Sequence, residues 1–85
     1  VYLVKVCFEG NQYSGMMNIG NRPTLNGINQ TIEIHIFDFD ENIYGKNLKI
    51  FLLKKIRDEK KFDSLITLKK QLIKDEEICK RTLAE

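Results

Sequence analysis

The chain has 85 residues, the size of one small domain. Hydrophobic residues make up 42% and charged residues 31%, as in ordinary globular proteins, which excludes a disordered or collagen-like chain. The net charge is only +2 and no apolar run approaches the ~18 residues of a membrane span, so we expect neither a nucleic-acid partner nor a membrane.

The first part of the chain predicts a β-hairpin followed by a loop. Apolar and polar residues alternate over Val1–Phe8, as in a strand with one buried face. The turn-forming run Glu9-Gly10-Asn11 follows, and Gln12–Ile19 returns as the second strand. Gly15 interrupts that strand, which indicates a bulge or the close approach of another backbone segment. Residues 20–30 are rich in asparagine and glycine and predict a loop of about ten residues.

Two further strands are predicted in the middle of the chain. Thr31–Phe39 alternates most regularly. Its two faces carry Ile32, Ile34 and Ile36 on one side, and Glu33, His35, Phe37 and Phe39 on the other. Leu48–Ile56 is so rich in apolar residues that its middle is expected to be buried on both faces.

The last quarter of the chain predicts an amphipathic helix. Asp63 or Ser64 can cap a helix over Leu65–Leu83. Its predicted apolar stripe is formed by Leu65, Leu68, Leu72, Cys79 and Leu83. The predicted fold class is therefore mainly β with one C-terminal helix, either an α+β arrangement or a small barrel with an appended helix.

Glu33 is the first candidate for chemistry. A carboxylate in an isoleucine-rich strand is unusual, because strands are depleted in Glu and a buried charge is costly. Beside a cleft it would be a well-held general base; on a one-sided sheet it would simply face solvent. His35 shares its face, but two ligands are too few to specify a metal site.

Two loops offer further candidates. Asp38, Asp40 and Glu41 could hold Mg²⁺, although Asp and Glu beside Asn are more typical of a solvated turn. The basic loop that follows the last strand ends in an aromatic residue. Its candidates are Arg57, Lys60, Lys61 and Phe62. Such a loop can stack on a planar ring and neutralise a phosphate, or it can be a charged connector whose aromatic ring enters the core.

The two cysteines, Cys7 and Cys79, lie far apart in a strand-like and a helix-like context. A single bridge is conceivable, but two reduced thiols packed as small hydrophobic residues in a cytoplasmic protein are favoured.

Five segments in order resemble the riboflavin kinase (flavokinase) family, most closely its bacterial branch that is bifunctional with FAD synthetase. They are Asn18-Ile19-Gly20, Arg22-Pro23-Thr24, Ile32 to Asp40, Ile43-Tyr44-Gly45-Lys46 and Phe62-Asp63-Ser64-Leu65. The resemblance covers nearly the whole chain. Any one segment would be weak, whereas five in the same order are specific.

The resemblance implies a six-stranded antiparallel Greek-key β-barrel with a C-terminal helix. It also implies transfer of the γ-phosphate of ATP, bound with Mg²⁺, to the 5′-hydroxyl of riboflavin, which gives FMN. By position, Glu33 matches the catalytic glutamate of the family. Positions that line the nucleotide pocket are matched by Ile36, Asp38 and Tyr44, and positions around the flavin by Arg57, Lys60 and Phe62. No residue of this chain is assigned as a metal ligand.

The chain also departs from the family pattern. The glycine-rich segment and the motif that hold the ATP phosphates and Mg²⁺ do not occur in it, so residues 1–85 are expected to be a fragment of the domain, an incomplete barrel and inactive alone. A barrel that lacks strands would leave an unpaired sheet edge, which predicts self-association. Asp58 stands where the family commonly has proline after the arginine, and this exchange is expected to loosen the flavin loop.

The alternative is a small β-module that binds a partner or single-stranded nucleic acid without catalysis. A basic stretch over Lys54–Lys61 and aromatic residues on strands favour it. Interleaved acidic residues and the lack of an aromatic series stand against it.

Overall fold

The computed structural model describes the backbone of all 85 residues and every side chain except those of Arg22 and Pro23. Its elements are β1 (Tyr2–Phe8), β2 (Asn11–Thr24), β3 (Gly27–Ile36), β4 (Lys49–Lys55) and α1 (Leu65–Leu83). The strands form one antiparallel sheet in the order β3-β2-β1-β4, and α1 packs against one of its faces. The predicted class, mainly β with one C-terminal helix, is confirmed. The four-stranded sheet is open, as expected of an incomplete barrel.

The first hairpin forms as predicted. Glu9 and Gly10 have φ angles of 48° and 79°, and two positive φ values are the signature of the type I′ turn that best matches strand twist. Phe8 pairs with Asn11 across the turn, so the loop has two residues. Gly15 confirms the predicted close approach, because a Cβ at that position would lie 2.5 Å from the carbonyl oxygen of His35 on β3.

The loop predicted over residues 20–30 is wrong. β2 continues to Thr24 and β3 begins at Gly27, so these residues form a second long hairpin with a two-residue turn. The turn lies at Leu25-Asn26, and the Thr24 hydroxyl donates to the Gly27 carbonyl at 3.1 Å. Polar residues suit this hairpin because most of its described side chains are exposed to solvent. Asn26 in the turn and Gly27 directly after it are turn-favouring residues, and they were the signal for this turn in the sequence.

The described side chains form two hydrophobic cores, one on each face of the sheet. The helix-side core contains Val1, Leu3, Met16, Phe37 and Cys79, with Ile56 and Leu72 against it. The inner core contains Val4, Val6, Met17 and Ile36, surrounded by partly buried residues of the strands and of the segment 39–48. β1 contributes to both cores through Leu3 and Val4. The predicted single buried face of β1 is therefore wrong.

The third strand ends earlier than predicted. Its faces alternate as expected up to Phe37, since Ile36 enters the inner core and Phe37 the helix-side core. Asp38 has a positive φ of 53°, which breaks the alternation. Phe39 consequently packs in the inner core, with its ring centroid 4.9 Å from that of Tyr13, and not on the Glu33 face.

β4 is exposed where the sequence predicted burial on both faces. Phe51, Leu52 and Leu53 are all exposed, Leu52 by 57%. β4 pairs only with β1 and forms one edge of the sheet, so no neighbouring strand covers it within the described backbone. The pairing register shifts at Leu53, where β4 carries one extra residue against β1.

The helix has the predicted bounds, with Ser64 as its N-cap. The Ser64 hydroxyl accepts a hydrogen bond from the backbone N–H of Thr67 at 3.2 Å, which satisfies one of the free amides of the first turn. The helix packs on the sheet through its middle, at Leu72 and Cys79. The predicted apolar stripe is wrong at its two ends, because Leu65 and Leu83 are exposed. Both cysteines are free, as the sequence favoured.

Candidate active site

Glu33 lies on the face of β3 that is turned toward α1. It pairs with Asn18 across β2 and β3, and the same face carries His35 and Met16. Between this hairpin and the helix is a cleft of about 380 Å³, within the range of roughly 300–1,000 Å³ usual for small-molecule sites. The cleft is lined by Val1, Met16, Met17, Asn18, Glu33, Ile34, His35, Leu72, Ile73 and Glu76.

The position of Glu33 combines a rigid backbone with an accessible carboxylate. Its strand is hydrogen-bonded to β2 along its whole length, and its side chain is exposed at the wall of the cleft. A general base needs this combination, because it must be held in place and still reach the proton of a bound alcohol.

The polar side chains next to Glu33 contact side chains of the helix. His35 Nε2 lies 3.7 Å from Glu76 Oε1, and Lys80 Nζ lies 3.5 Å from the same oxygen. Lys80 also lies 3.9 Å from Asp38 Oδ1 and 5.6 Å from the ring centroid of Phe37. Among the described side chains, no three of His, Cys, Asp and Glu gather into a group that could hold a metal ion.

The loop between β4 and α1 brings its three predicted flavin residues together. The guanidinium carbon of Arg57 lies 5.9 Å, and Lys60 Nζ 5.6 Å, from the ring centroid of Phe62. Phe62 is half-buried, so its ring is neither free in solvent nor fully part of the core.

The same loop passes over the Glu33 face of the β2–β3 hairpin. A Cβ at Gly20 would lie 3.0 Å from Thr31 Oγ1 and 3.3 Å from Glu59 Oε1. Thr31 pairs with Gly20, two positions along β3 from Glu33 and therefore on the same face. One surface thus connects the basic loop with the candidate base.

Asp75 is the residue that the sequence analysis missed. Its side chain has 0% exposure and accepts hydrogen bonds from Arg57 Nε and Nη2, both at 2.8 Å, and from Gln71 Nε2 at 3.0 Å. Burial raises the pKa of this carboxyl, but the hydrogen bonds from Arg57 and Gln71 outweigh burial and the net pKa lies below its usual value. The sequence did contain a signal of its burial: Asp75 lies three residues after Leu72 and four before Cys79, within the predicted apolar stripe of the helix.

The predicted nucleotide residues do not meet at the cleft. Ile36 is buried in the inner core, on the opposite face from Glu33. Asp38 occupies the turn after β3, and Tyr44 is 94% exposed in a turn where its backbone N–H donates to Asn42 Oδ1 at 2.9 Å.

A second depression lies between the basic loop and the start of α1, with a volume of about 290 Å³. We call it the lysine pocket. It is lined by Lys60, Lys61, Phe62, Asp63, Thr67, Lys70, Gln71 and Lys74. Four ammonium groups and one carboxylate line it, so it is more basic than the cleft beside Glu33.

An antiparallel sheet backed by one helix, with a strand carboxylate at a cleft beside a basic aromatic loop, agrees with the family that the sequence resembles. Residues 1–83 match the family model described as Flavokinase: Riboflavin kinase. The chain belongs to the riboflavin kinase family.

Named relatives place it more closely within that family. It is 47% identical over 81 residues to the bifunctional riboflavin kinase/FMN adenylyltransferase of Haemophilus influenzae, covering 94% of this chain and 26% of that protein. Identity to the protein of the same name from Escherichia coli strain K12 is 44% over 77 residues, covering 89% and 25%. The chain therefore spans about a quarter of the length of these relatives.

Two other similarities carry different names. The RNA-binding riboflavin kinase of Bacillus subtilis is 43% identical over 76 residues, covering 88% of this chain and 33% of that protein. A crystal structure described as a macrolide-efflux protein from Streptococcus pneumoniae superposes with a TM-score of 0.86 at 38% identity, over 93% of this chain and 26% of the other. No helix in the described part of this chain is long and apolar enough to span a membrane.

Proposed function

We propose that the full-length protein carrying this chain is a riboflavin kinase that transfers the γ-phosphate of MgATP to the 5′-hydroxyl of riboflavin. The observation that carries this proposal is Glu33, held by a paired strand at the wall of the cleft in a chain of the riboflavin kinase family. The names of two relatives support a second activity of the same protein, FMN adenylyltransferase, which makes FAD. Its proposed compartment is the cytoplasm, in agreement with two free thiols.

Glu33 is the proposed general base. Its carboxylate accepts the proton of the riboflavin 5′-hydroxyl as the alcohol oxygen forms a bond to the γ-phosphorus of ATP. The bond between that phosphorus and the bridging oxygen breaks, ADP leaves with the bond electrons, and FMN remains. Because phosphoryl transfer depends mainly on positioning, a base fixed on a paired strand suits the step.

The flavin side of the site is assigned to the loop carrying Arg57, Lys60 and Phe62. An aromatic ring flanked by two cations suits a planar, electron-poor tricycle. The surface from this loop to Glu33 gives a path for the ribityl chain, since Glu59 and Thr31 both lie beside Gly20.

The nucleotide side is assigned to Ile36, Asp38 and Tyr44 through their match to the family pattern. Asp38 and Tyr44 are exposed, whereas Ile36 can contribute only through the edge of the inner core. Because the chain spans about a quarter of the length of its relatives, we assign the contacts to Mg²⁺ and the ATP phosphates to the remainder of the full-length protein.

The test is FMN formation by the full-length protein from riboflavin and MgATP, followed by chromatography with fluorescence detection. Glu33→Gln should lower kcat by about 10²–10⁴-fold, the usual contribution of a general base, and leave riboflavin affinity nearly unchanged. Glu77→Gln, an exposed carboxylate on α1, is the matched control. Loss of riboflavin binding with normal turnover at saturation would give Glu33 a binding role instead.

The same assay tests the 85-residue chain by itself. We expect negligible phosphorylation, because the proposed phosphate and Mg²⁺ contacts lie outside it. Robust turnover by the purified chain would contradict that division.

Single-stranded RNA binding is a second candidate function. The sequence predicts no nucleic-acid partner, and the name of the Bacillus subtilis relative stands against that prediction. The lysine pocket supports the candidate, because ammonium groups around an aromatic ring are the usual means of holding phosphates and stacking a base.

Fluorescence anisotropy with a labelled single-stranded RNA oligonucleotide, at two salt concentrations, tests this candidate. Each lysine–phosphate contact should contribute about 0.7 to the slope of log affinity against log salt. Replacing Lys70 and Lys74 by alanine should weaken binding and reduce the slope, whereas Lys69→Ala, outside the pocket on the same helix, should not. Equal affinity of all variants, or no binding at low salt, would exclude the pocket as an RNA site.

A further inference from the structure

Asp75 and Arg57 form a buried ion pair that joins the end of β4 to the middle of α1. An ionised carboxylate with 0% exposure is costly unless its oxygens are hydrogen-bonded. Here Oδ1 accepts from Arg57 Nε and Gln71 Nε2, and Oδ2 accepts from Arg57 Nη2. The two parallel bonds to Arg57 are both 2.8 Å long, the geometry that fixes a guanidinium in one orientation.

The remaining contacts of Arg57 also stay within the chain. Nη1 donates to the Asp58 carbonyl at 3.0 Å, so all three nitrogens of the guanidinium are engaged. The side chain is only 20% exposed. Its polar edge is thus occupied, and its carbon lies 5.9 Å from the ring centroid of Phe62.

We propose that Asp75 is a positioning residue for flavin binding, which acts through Arg57 on the Phe62 loop, and that Arg57 does not itself bind the flavin through its polar edge. This inference rests on the proposed riboflavin kinase function and refines the part of Arg57 in it. Direct contact with the flavin then falls to Phe62 and Lys60.

The reason lies in how the loop is held. Residues 58–61 are exposed; within the loop Asp58 pairs with Lys55 and Glu59 lies beside Gly20, and further contacts hold its two ends. One end is the Ser64 cap of α1, and the other is Arg57, locked to Asp75. Without the ion pair, the Arg57 side chain would no longer be held against Phe62, and the loop would sample other positions, which raises the cost of ordering it around a ligand.

The experiment uses the full-length protein and measures kcat and KM for riboflavin and for ATP separately. Asp75→Asn keeps the size of the side chain but replaces one accepting oxygen by a donor facing Arg57. It should raise the KM for riboflavin roughly tenfold, equivalent to about 1.4 kcal/mol, and leave the KM for ATP unchanged. Glu77→Gln, an exposed acid on the same helix, should change neither constant.

A double variant separates positioning from direct recognition. Arg57→Met alone should raise the KM for riboflavin, since it leaves the Asp75 charge buried without a partner. Adding Asp75→Leu replaces the ion pair by apolar side chains, an exchange that buried pairs often tolerate, and should restore most of the riboflavin affinity. If Arg57 bound the flavin directly, the double variant would remain as weak as Arg57→Met, and that result would overturn the proposal.

Gln71→Leu provides a milder perturbation that keeps the ion pair, for use if Asp75→Asn does not fold. It removes one of three hydrogen bonds to Asp75 and should raise the KM for riboflavin by a smaller factor. An unchanged KM for riboflavin in every folded variant would also overturn the proposal. If the unmodified protein failed to phosphorylate riboflavin, the proposed kinase function would be wrong. A normal unmodified enzyme with unaffected variants would instead overturn only the positioning role of Asp75.

Discussion

Gly15 and His35 lie in such close contact that a Cβ at Gly15 would stand 2.5 Å from the His35 carbonyl oxygen. The neighbour is backbone, which cannot rotate away as a side chain would. Gly15→Ala should therefore force β2 and β3 apart and destabilise the fold by ~1–3 kcal/mol, the usual range for overpacking. The free energy of unfolding, from urea denaturation of the chain followed by circular dichroism, measures this effect.

Gly20→Ala is the matched control for Gly15. A Cβ there would meet the side-chain atoms Thr31 Oγ1 and Glu59 Oε1, at 3.0 and 3.3 Å, and both side chains can shift. We expect a smaller loss of stability than at Gly15. Equal losses at both sites would show that the close backbone approach is not what makes Gly15 special.

The exposed apolar residues of β4 predict self-association of the 85-residue chain. An edge strand with unpaired backbone groups and apolar side chains is a template for pairing with a second copy. Sedimentation at increasing concentration should show dimers or larger species. Leu52→Lys should suppress them, because charged residues protect natural sheet edges.

Ile66→Lys tests whether that effect belongs to the edge. Ile66 is exposed on α1 and is not part of the sheet. The same change of apolar residue to lysine should leave the association unchanged there. A chain that remains monomeric at high concentration before any substitution would contradict the prediction.

The lowered pKa of Asp75 predicts an acid-dependent stability. Since the folded-state pKa lies below the ordinary value of 3.8, the carboxylate contributes stability above that pH and loses it as the pH falls through the folded-state pKa. Below about pH 4, the unfolding free energy should therefore fall more steeply for the wild type than for Asp75→Asn, by at most ~1.4 kcal/mol per pH unit.

Urea denaturation between pH 2 and pH 7 measures the two curves. Asp40→Asn, at an exposed site, should retain the wild-type dependence. Parallel curves for the wild type and Asp75→Asn would show that this carboxylate is not the group that links folding to acid.

Local patterns predicted most of the fold. Alternation located β1, β2 and β3, with β2 predicted to end five residues too early, and a run of apolar residues located β4. The Ser64 cap and the apolar periodicity gave both ends of α1. The second hairpin was missed because its asparagine and glycine residues were interpreted as a long loop, whereas only Leu25 and Asn26 form the turn. The exposure of β4 was not predictable from its composition, since it depends on which strands lie beside it.

The candidate site was predictable only in part. Arg57, Lys60 and Phe62 lie within six positions of one another in the sequence, and the structure brings their side chains together. Asp75 pairs with Arg57 across 18 positions, and a single sequence cannot distinguish such a partner from an ordinary exposed helix acid. Their roles toward flavin and nucleotide remain predictions.

β1 is the partition between the two cores, with Leu3 at 2% exposure on one side and Val4 at 0% on the other. Because both cores pack on the same strand, we expect them to unfold together, so that a destabilising substitution on either face also lowers the stability of the opposite one.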